Sequence, residues 1–184
     1  MTSAASVEGH ERPRLFVALR LPGEVVDRLV EWQAGLPRSD ARAVPRENLH
    51  VTVAFLGARP AGDVEPIASQ LRAAAAAAAP MELEVRDYRE TRSVGMLRFA
   101  DRDGRAEAFA AEVSRRLAAL GVYEPERRRW LPHVTVLRFR TPPRLRPQPP
   151  ELGRFSPSDA ALYHSLLRPS GAQYSVIEQA ALGG

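Results

Sequence analysis

The apolar positions of this chain fall into short blocks with two different spacings. Leu15 to Leu19, "LFVAL", is a compact apolar run that reads as a buried strand. After Pro22 and Gly23, the residues Val25, Leu29, Trp32 and Leu36 recur on one helical face that ends before Pro37. A polar loop leads to "LHVTVAFLG", a strand closing at Gly57. Asp63 is the expected N-cap of a second helix, with Pro66 in its first turn. That helix carries Ile67 and Leu71 into an alanine run and stops at Pro80.

The second half restarts the same plan. Met81 to Val85 and Gly95 to Ala100 alternate as strands. Ala106, Phe109, Val113, Leu117 and Leu120 form the stripe of a helix over 104–120, with Gly121 as its C′ stop. A basic loop, "ERRRW", precedes the strand "HVTVLRFR". A proline-rich stretch, Thr141 to Pro150, stands where the first half has a helix. "ALYHSLL" and "QYSVIEQAAL", joined by "RPSGA", read as a β-hairpin. Phe16 lies 34 residues before His50, and Phe99 lies 34 before His133, which suggests an internal duplication. The expected architecture is α+β: two pseudo-symmetric lobes of antiparallel sheet, with outer helices, around a central groove. Residues 13–184 form that bilobal domain, behind a disordered tail at 1–12.

Composition narrows the function. The chain has 184 residues, enough for one well-cored domain, and no apolar run approaches the roughly 20 residues that span a bilayer. The first residues lack the basic start and apolar stretch of a signal peptide, so a cytoplasmic protein is expected. With no cysteine, thiol nucleophiles and Cys-ligated metal sites are excluded. All 26 basic residues are arginine and the net charge is +4. A GC-rich genome accounts for most of the arginine count. The resulting surface still favours an anionic partner.

The candidate chemistry sits in the duplicated string HVTV, at His50 to Val53 and His133 to Val136. Side chains two apart on a strand share a face, so His50 projects with Thr52 and His133 with Thr135. Val51, Val53 and Phe55, and likewise Val134 and Val136, are expected on the core side. Two such faces lining one cleft supply two imidazoles and two hydroxyls. One neutral and one protonated ring can remove a proton from a nucleophile and deliver one to a leaving oxygen. The hydroxyls can donate to phosphate oxygens. The set suits metal-free phosphodiester chemistry, and the residues alone leave open which ring is acid and which is base. No Asp, Glu or Cys stands at ligand spacing, so neither metal nor cofactor is expected. His10 and His164 are read as incidental.

The phrases "RLFVALRLP", "VPRENLHVTVAFLG", "LPHVTVLR" and "LYHSLLRPSGAQYSV" resemble, in order and spacing, the 2H phosphoesterases. Within them the resemblance is to the RNA 2′,3′-cyclic phosphodiesterases once called 2′-5′ RNA ligases. It implies opening of a terminal 2′,3′-cyclic phosphate by water to a 2′-phosphomonoester. By that resemblance His50 is the proton donor to the 3′-oxygen, His133 the proton acceptor from water, and Thr52 and Thr135 hold the phosphate. Arg138 matches a basic residue that follows the second motif, although its strand parity sets it with Val134 and Val136 unless the strand bulges. Phe16 is a candidate base-stacking surface, with core burial the competing reading. Ala43 stands where relatives commonly carry an aromatic. The partners implied are RNA ends or small cyclic nucleotides, with a monomer and no membrane. The alternatives are a sister activity on another cyclic or 2′-5′ phosphodiester, including reversible ligation, or a catalytically silent RNA-binding module.

Overall fold

In the computed structural model, which describes residues 12–37, 40–169 and 171–183, the two HVTV segments lie side by side at the middle of one sheet. The expected tail falls almost wholly outside the described residues. In chain order the elements are β1 (Arg14–Arg20), α1 (Gly23–Ala34), β2 (Arg42–Ala43), β3 (His50–Ala58), α2 (Val64–Ala76), β4 (Leu83–Glu90) and β5 (Val94–Ala100). They continue with α3 (Arg105–Ala119), β6 (His133–Arg138), β7 (Arg154–Phe155), β8 (Asp159–Arg168) and β9 (Gly171–Ala181). Among the described residues the sheet runs β7-β4-β5-β6-β3-β1-β8-β9, with β2 on the end of β6. Every pairing is antiparallel.

β3 and β6 join the halves where Val51 faces Val134. Each is the residue between the His and Thr of its motif, so a pseudo-twofold axis passes between the two valines. Both are fully buried, as is Val136. Each such valine contributes roughly 1.5–3 kcal/mol of burial that locks this register. To either side, β1 pairs with β3 and β5 with β6. Arg20 sits opposite His50, and Arg98 opposite His133. Arg20 pairs with Asp159 on β8 at 3.5 Å, and Arg98 forks onto Asp87 on β4 at 2.5–2.6 Å. The same arginine–aspartate device therefore flanks both motifs.

This register corrects the 34-residue correspondence. Phe16 faces Phe55 on the groove side of β1. Phe99 instead lies in the main core, edge-on to Phe155. The position equivalent to Phe16 is Val94, opposite Arg138. The order strand, helix, loop, HVT strand is duplicated, but the second helix is the longer, at 15 residues against 12, while the loop before His133 is the shorter, so the equal intervals are coincidental.

The helices pack across the back of the sheet. α1 buries Val25, Val26, Leu29 and Gln33, and it reaches the opposite lobe. There Trp32 meets Tyr88 of β4, and the Gln33 Nε2 donates to the Val136 carbonyl at 2.6 Å. Leu36 lies past the end of α1. α3 starts from Gly104 and stops at Gly121, both with left-handed φ, near 68° and 76°, that favours glycine. Asp63 precedes α2 but makes no cap bond; its carboxylate takes the Arg59 guanidinium at 3.0–3.1 Å. β4 starts at Leu83 and runs on to Glu90, past the expected Val85; its later half carries charged residues around Tyr88, so no apolar alternation marks it in the sequence. The proline-rich stretch is pinned by its backbone: the Trp32 indole donates to Gln148 and Arg28 to Glu151, both at 2.9 Å.

Candidate active site

From the Val51–Val134 pair, one step along each antiparallel strand sets His50 beside Thr135 and Thr52 beside His133. The two histidines are then diagonal neighbours on one face, with Cα atoms about 7–8 Å apart. All four side chains line one cavity of about 1030 Å³. The fold thus brings together the four residues that the two motifs single out.

Past each motif, a β-bulge changes the parity. Against β1, Thr52 faces Ala18 and Ala54 faces Val17, which leaves Val53 unpaired. Against β5, Thr135 faces Met96 and Leu137 faces Gly95, which leaves Val136 unpaired. The bulged residue is the third after the histidine in both strands. Beyond it, strand faces invert, so Phe55 and Arg138 come to the groove at equivalent positions. Phe55 is therefore 52% exposed, contrary to its expected core placement. Arg138, which simple alternation sends to the core, is exposed and lines the cavity. The Val136 bulge is held from outside the sheet: its carbonyl accepts from the Val44 amide at 2.9 Å as well as from Gln33.

The two histidines have different surroundings. The His50 ring lies 4.9 Å from Phe16, 5.8 Å from Tyr163 and 5.4 Å from Tyr174, the last edge-on. Burial in this aromatic box pushes its pKa from 6.5 down to about 4, the nearby Asn48 carbonyl opposing and the charges of Arg138 and His133 adding. Its Nδ1 is enclosed and lacks a well-aligned partner. His133 is anchored by its Nδ1, 2.9 Å from the Leu131 carbonyl. A carbonyl only accepts, so Nδ1 carries the hydrogen, and the neutral ring has its lone pair on Nε2.

Phe16 lines the cavity but is 3% exposed, stacked on Tyr163 at 4.8 Å and under His50. It supports the His50 ring, and too little of its face is open to receive a base. Several lining residues lie outside the two motifs. Tyr174 is half-buried at the groove wall, and its alternation in "GAQYSV" was the available clue. Asn48 donates from Nδ2 to the Ala172 carbonyl at 2.9 Å and so ties the β8–β9 hairpin to the start of β3. Ala43 lies on β2 against Leu137, and its small side chain leaves that wall of the groove open. His164 is fully enclosed in β8, away from the tetrad face. Among the described residues no three His, Cys, Asp or Glu side chains converge as a metal-ligating group, and no helix is long and apolar enough to cross a membrane.

Comparison with known proteins gives concordant matches. Residues 19–90 match the family described as LigT like Phosphoesterase. An RNA 2′,3′-cyclic phosphodiesterase of Thermus thermophilus is 32% identical over 190 residues, covering 93% of this chain and 91% of that protein. The crystal structure of TT0787 from Thermus thermophilus matches with a TM-score of 0.80 at 27% identity, over 92% of this chain and 97% of the other. Escherichia coli LigT, crystallised in complex with phosphate, matches with a TM-score of 0.76 at 26% identity, over 95% and 99% of the two chains. A match of this extent, on a fold that brings both H-x-T pairs to one cavity, makes this chain a member of the LigT-like family of 2H phosphoesterases.

Proposed function

We propose that the protein hydrolyses the 2′,3′-cyclic phosphate at RNA ends to a 2′-phosphomonoester, without a metal ion. The observation that carries this reading is the diagonal pair His50 and His133, each beside the other motif's threonine, in one cavity. The diagonal suits in-line displacement, in which the entering and departing oxygens occupy opposite sides of phosphorus. The curated relative's name and the phosphate complex of the E. coli neighbour support the substrate class.

The anchored tautomer of His133 supports the role of base for it. Its Nε2 lone pair removes a proton from water as the water oxygen bonds to phosphorus. The bond from phosphorus to the 3′-oxygen breaks, and His50 gives its proton to that oxygen. Solvent exchange then resets both rings. Each positioned transfer supplies on the order of 10²–10⁴-fold. Thr52 and Thr135 donate hydroxyls to the non-bridging oxygens, and Arg138 offsets their charge. The low pKa of His50 makes it a strong acid once protonated. The phosphate itself promotes that protonation, because its negative charge opposes the effect of Arg138 on the ring.

The test is incubation with an oligonucleotide ending in a 2′,3′-cyclic phosphate, with EDTA present. The expected product is the 2′-phosphate, and His50→Ala and His133→Ala should each remove most turnover. A 3′-phosphate product, turnover that requires a divalent ion, or full activity in either variant would overturn the reading.

A further inference from the structure

The strand that carries His133 is entered through an exposed loop. Residues 124–129 are all exposed, and Leu131 is 49% exposed. Yet the Leu131 carbonyl is the group that accepts from the His133 Nδ1 and so selects the tautomer of the ring. A side chain lying in solvent cannot hold that carbonyl in place, so its neighbours must. Pro132 does so from one side. It is buried, its ring fixes φ, and its carbonyl accepts from the Phe99 amide at 2.9 Å.

Trp130 does so from the other. It is the first residue after Tyr123 to turn back onto the main core, and its indole N–H donates to the Thr52 carbonyl at 3.0 Å. That carbonyl is within reach because β3 and β6 pair only at Val51 and Val134, and the indole takes up the gap as the strands part. The loop ahead of the second motif is thus tied to the middle of the first. Beside it a second cavity of about 720 Å³, lined in part by Trp130, Leu131 and His133, leaves the loop room to shift once untied. The first motif carries the same device in another form. Asn48 stands two residues before His50, as Leu131 does before His133, and its own Nδ2 donates to the Ala172 carbonyl at 2.9 Å.

Resting on the proposed function, in which His133 is the base, we propose that Trp130 is a positioning residue for that base. By its hold on the Thr52 carbonyl it keeps the Leu131 carbonyl at Nδ1. The neutral ring then carries its hydrogen on Nδ1 and its lone pair on Nε2, the nitrogen that takes the proton from water. With the loop untied, the hydrogen can sit on Nε2 instead. A ring in that tautomer has no lone pair facing the reaction and cannot accept the proton. Turnover then follows the fraction of rings in the Nδ1–H form, while the threonine hydroxyls and Arg138 go on binding phosphate.

Two replacements separate the N–H from the ring that bears it. One is Trp130→Phe. The other puts benzothienylalanine at position 130, which keeps the bicyclic shape and has sulfur in place of the N–H. The imidazole nitrogen resonances of His133, assigned by their loss in His133→Ala, report at alkaline pH which nitrogen carries the hydrogen. Turnover is measured with cytidine 2′,3′-cyclic phosphate. The wild type should carry the hydrogen on Nδ1. Both replacements should move it toward Nε2 and lower kcat by about three- to tenfold, the range of one neutral hydrogen bond, with KM unchanged. A wild-type ring with its hydrogen on Nε2 would overturn the inference. So would a sulfur replacement that leaves either the tautomer or kcat as in the wild type, which would reduce Trp130 to packing. Absence of wild-type turnover, with the tautomer shift intact, would instead overturn the proposed function alone.

Discussion

The aromatic box around His50 has a consequence for stability that does not depend on substrate. In the folded protein its pKa is about 4, against 6.5 in an unpaired ring. Between those values the unfolded chain binds a proton at this residue and the folded chain does not. Stability therefore falls as pH drops below 6.5, and the contribution of neutral His50 is fully present only above that value. The shift corresponds to about 3 kcal/mol lost by pH 4, at close to 1.4 kcal/mol per pH unit through the middle of the range. For a chain of this length that is a fall of very roughly 6–12 °C in Tm.

His50→Gln removes the titration and keeps a polar side chain of similar reach. Urea denaturation of both proteins at intervals from pH 7 to pH 4 isolates the residue, because the other histidines and the carboxylates are common to both. The expected outcome is that wild type loses about 3 kcal/mol more than the variant across the range. The offset between the two proteins at pH 7 is irrelevant to the argument. Parallel curves would refute it, as would an NMR titration placing the His50 imidazole near its ordinary value.

Three further outcomes follow from neighbouring contacts. Arg138→Gln should raise the pKa of His50, since Arg138 is one of the charges that lower it, and NMR titration of the ring reads the direction. Gln33→Leu leaves the Val44 carbonyl without its donor and removes one of two donors from Val136. It should destabilise by about 1–3 kcal/mol, and it should weaken inorganic phosphate binding by loosening the bulge that delivers Arg138, measured by denaturation and calorimetric titration. Gly95→Ala would drive a methyl group into the Tyr88 hydroxyl. That hydroxyl donates to Glu90, whose carboxylate accepts from the Arg144 and Leu145 amides, so denaturation should show a loss of about 1–3 kcal/mol.

The parts of the site that a sequence can disclose are those fixed by local periodicity. His50 with Thr52, and His133 with Thr135, follow from period-two alternation over three residues, and the burial of Val51 and Val134 follows from the same rule. Alternation fails at the fourth residue of each motif. Nothing in "HVTVAF" or "HVTVLR" marks Val53 or Val136 as bulged, because both are valines that suit a regular strand. The Val136 bulge is held by donors from Val44 and Gln33, residues distant in the chain, and Gln33 reads from the sequence as an ordinary polar position on a helix. The 34-residue interval misled for a related reason. Equal spacing equates Phe16 with Phe99, whereas pairing across the sheet equates Arg20 with Arg98, each opposite its histidine and each held by an aspartate. Duplication preserved the strand pairing while the loops changed length, so the lobes correspond through hydrogen-bonded register and not through residue count. Strand parity read from the chain is therefore reliable as far as the first bulge. For β6, that bulge lies where the carbonyl leaving the ladder meets donors from elements that the local sequence does not contain.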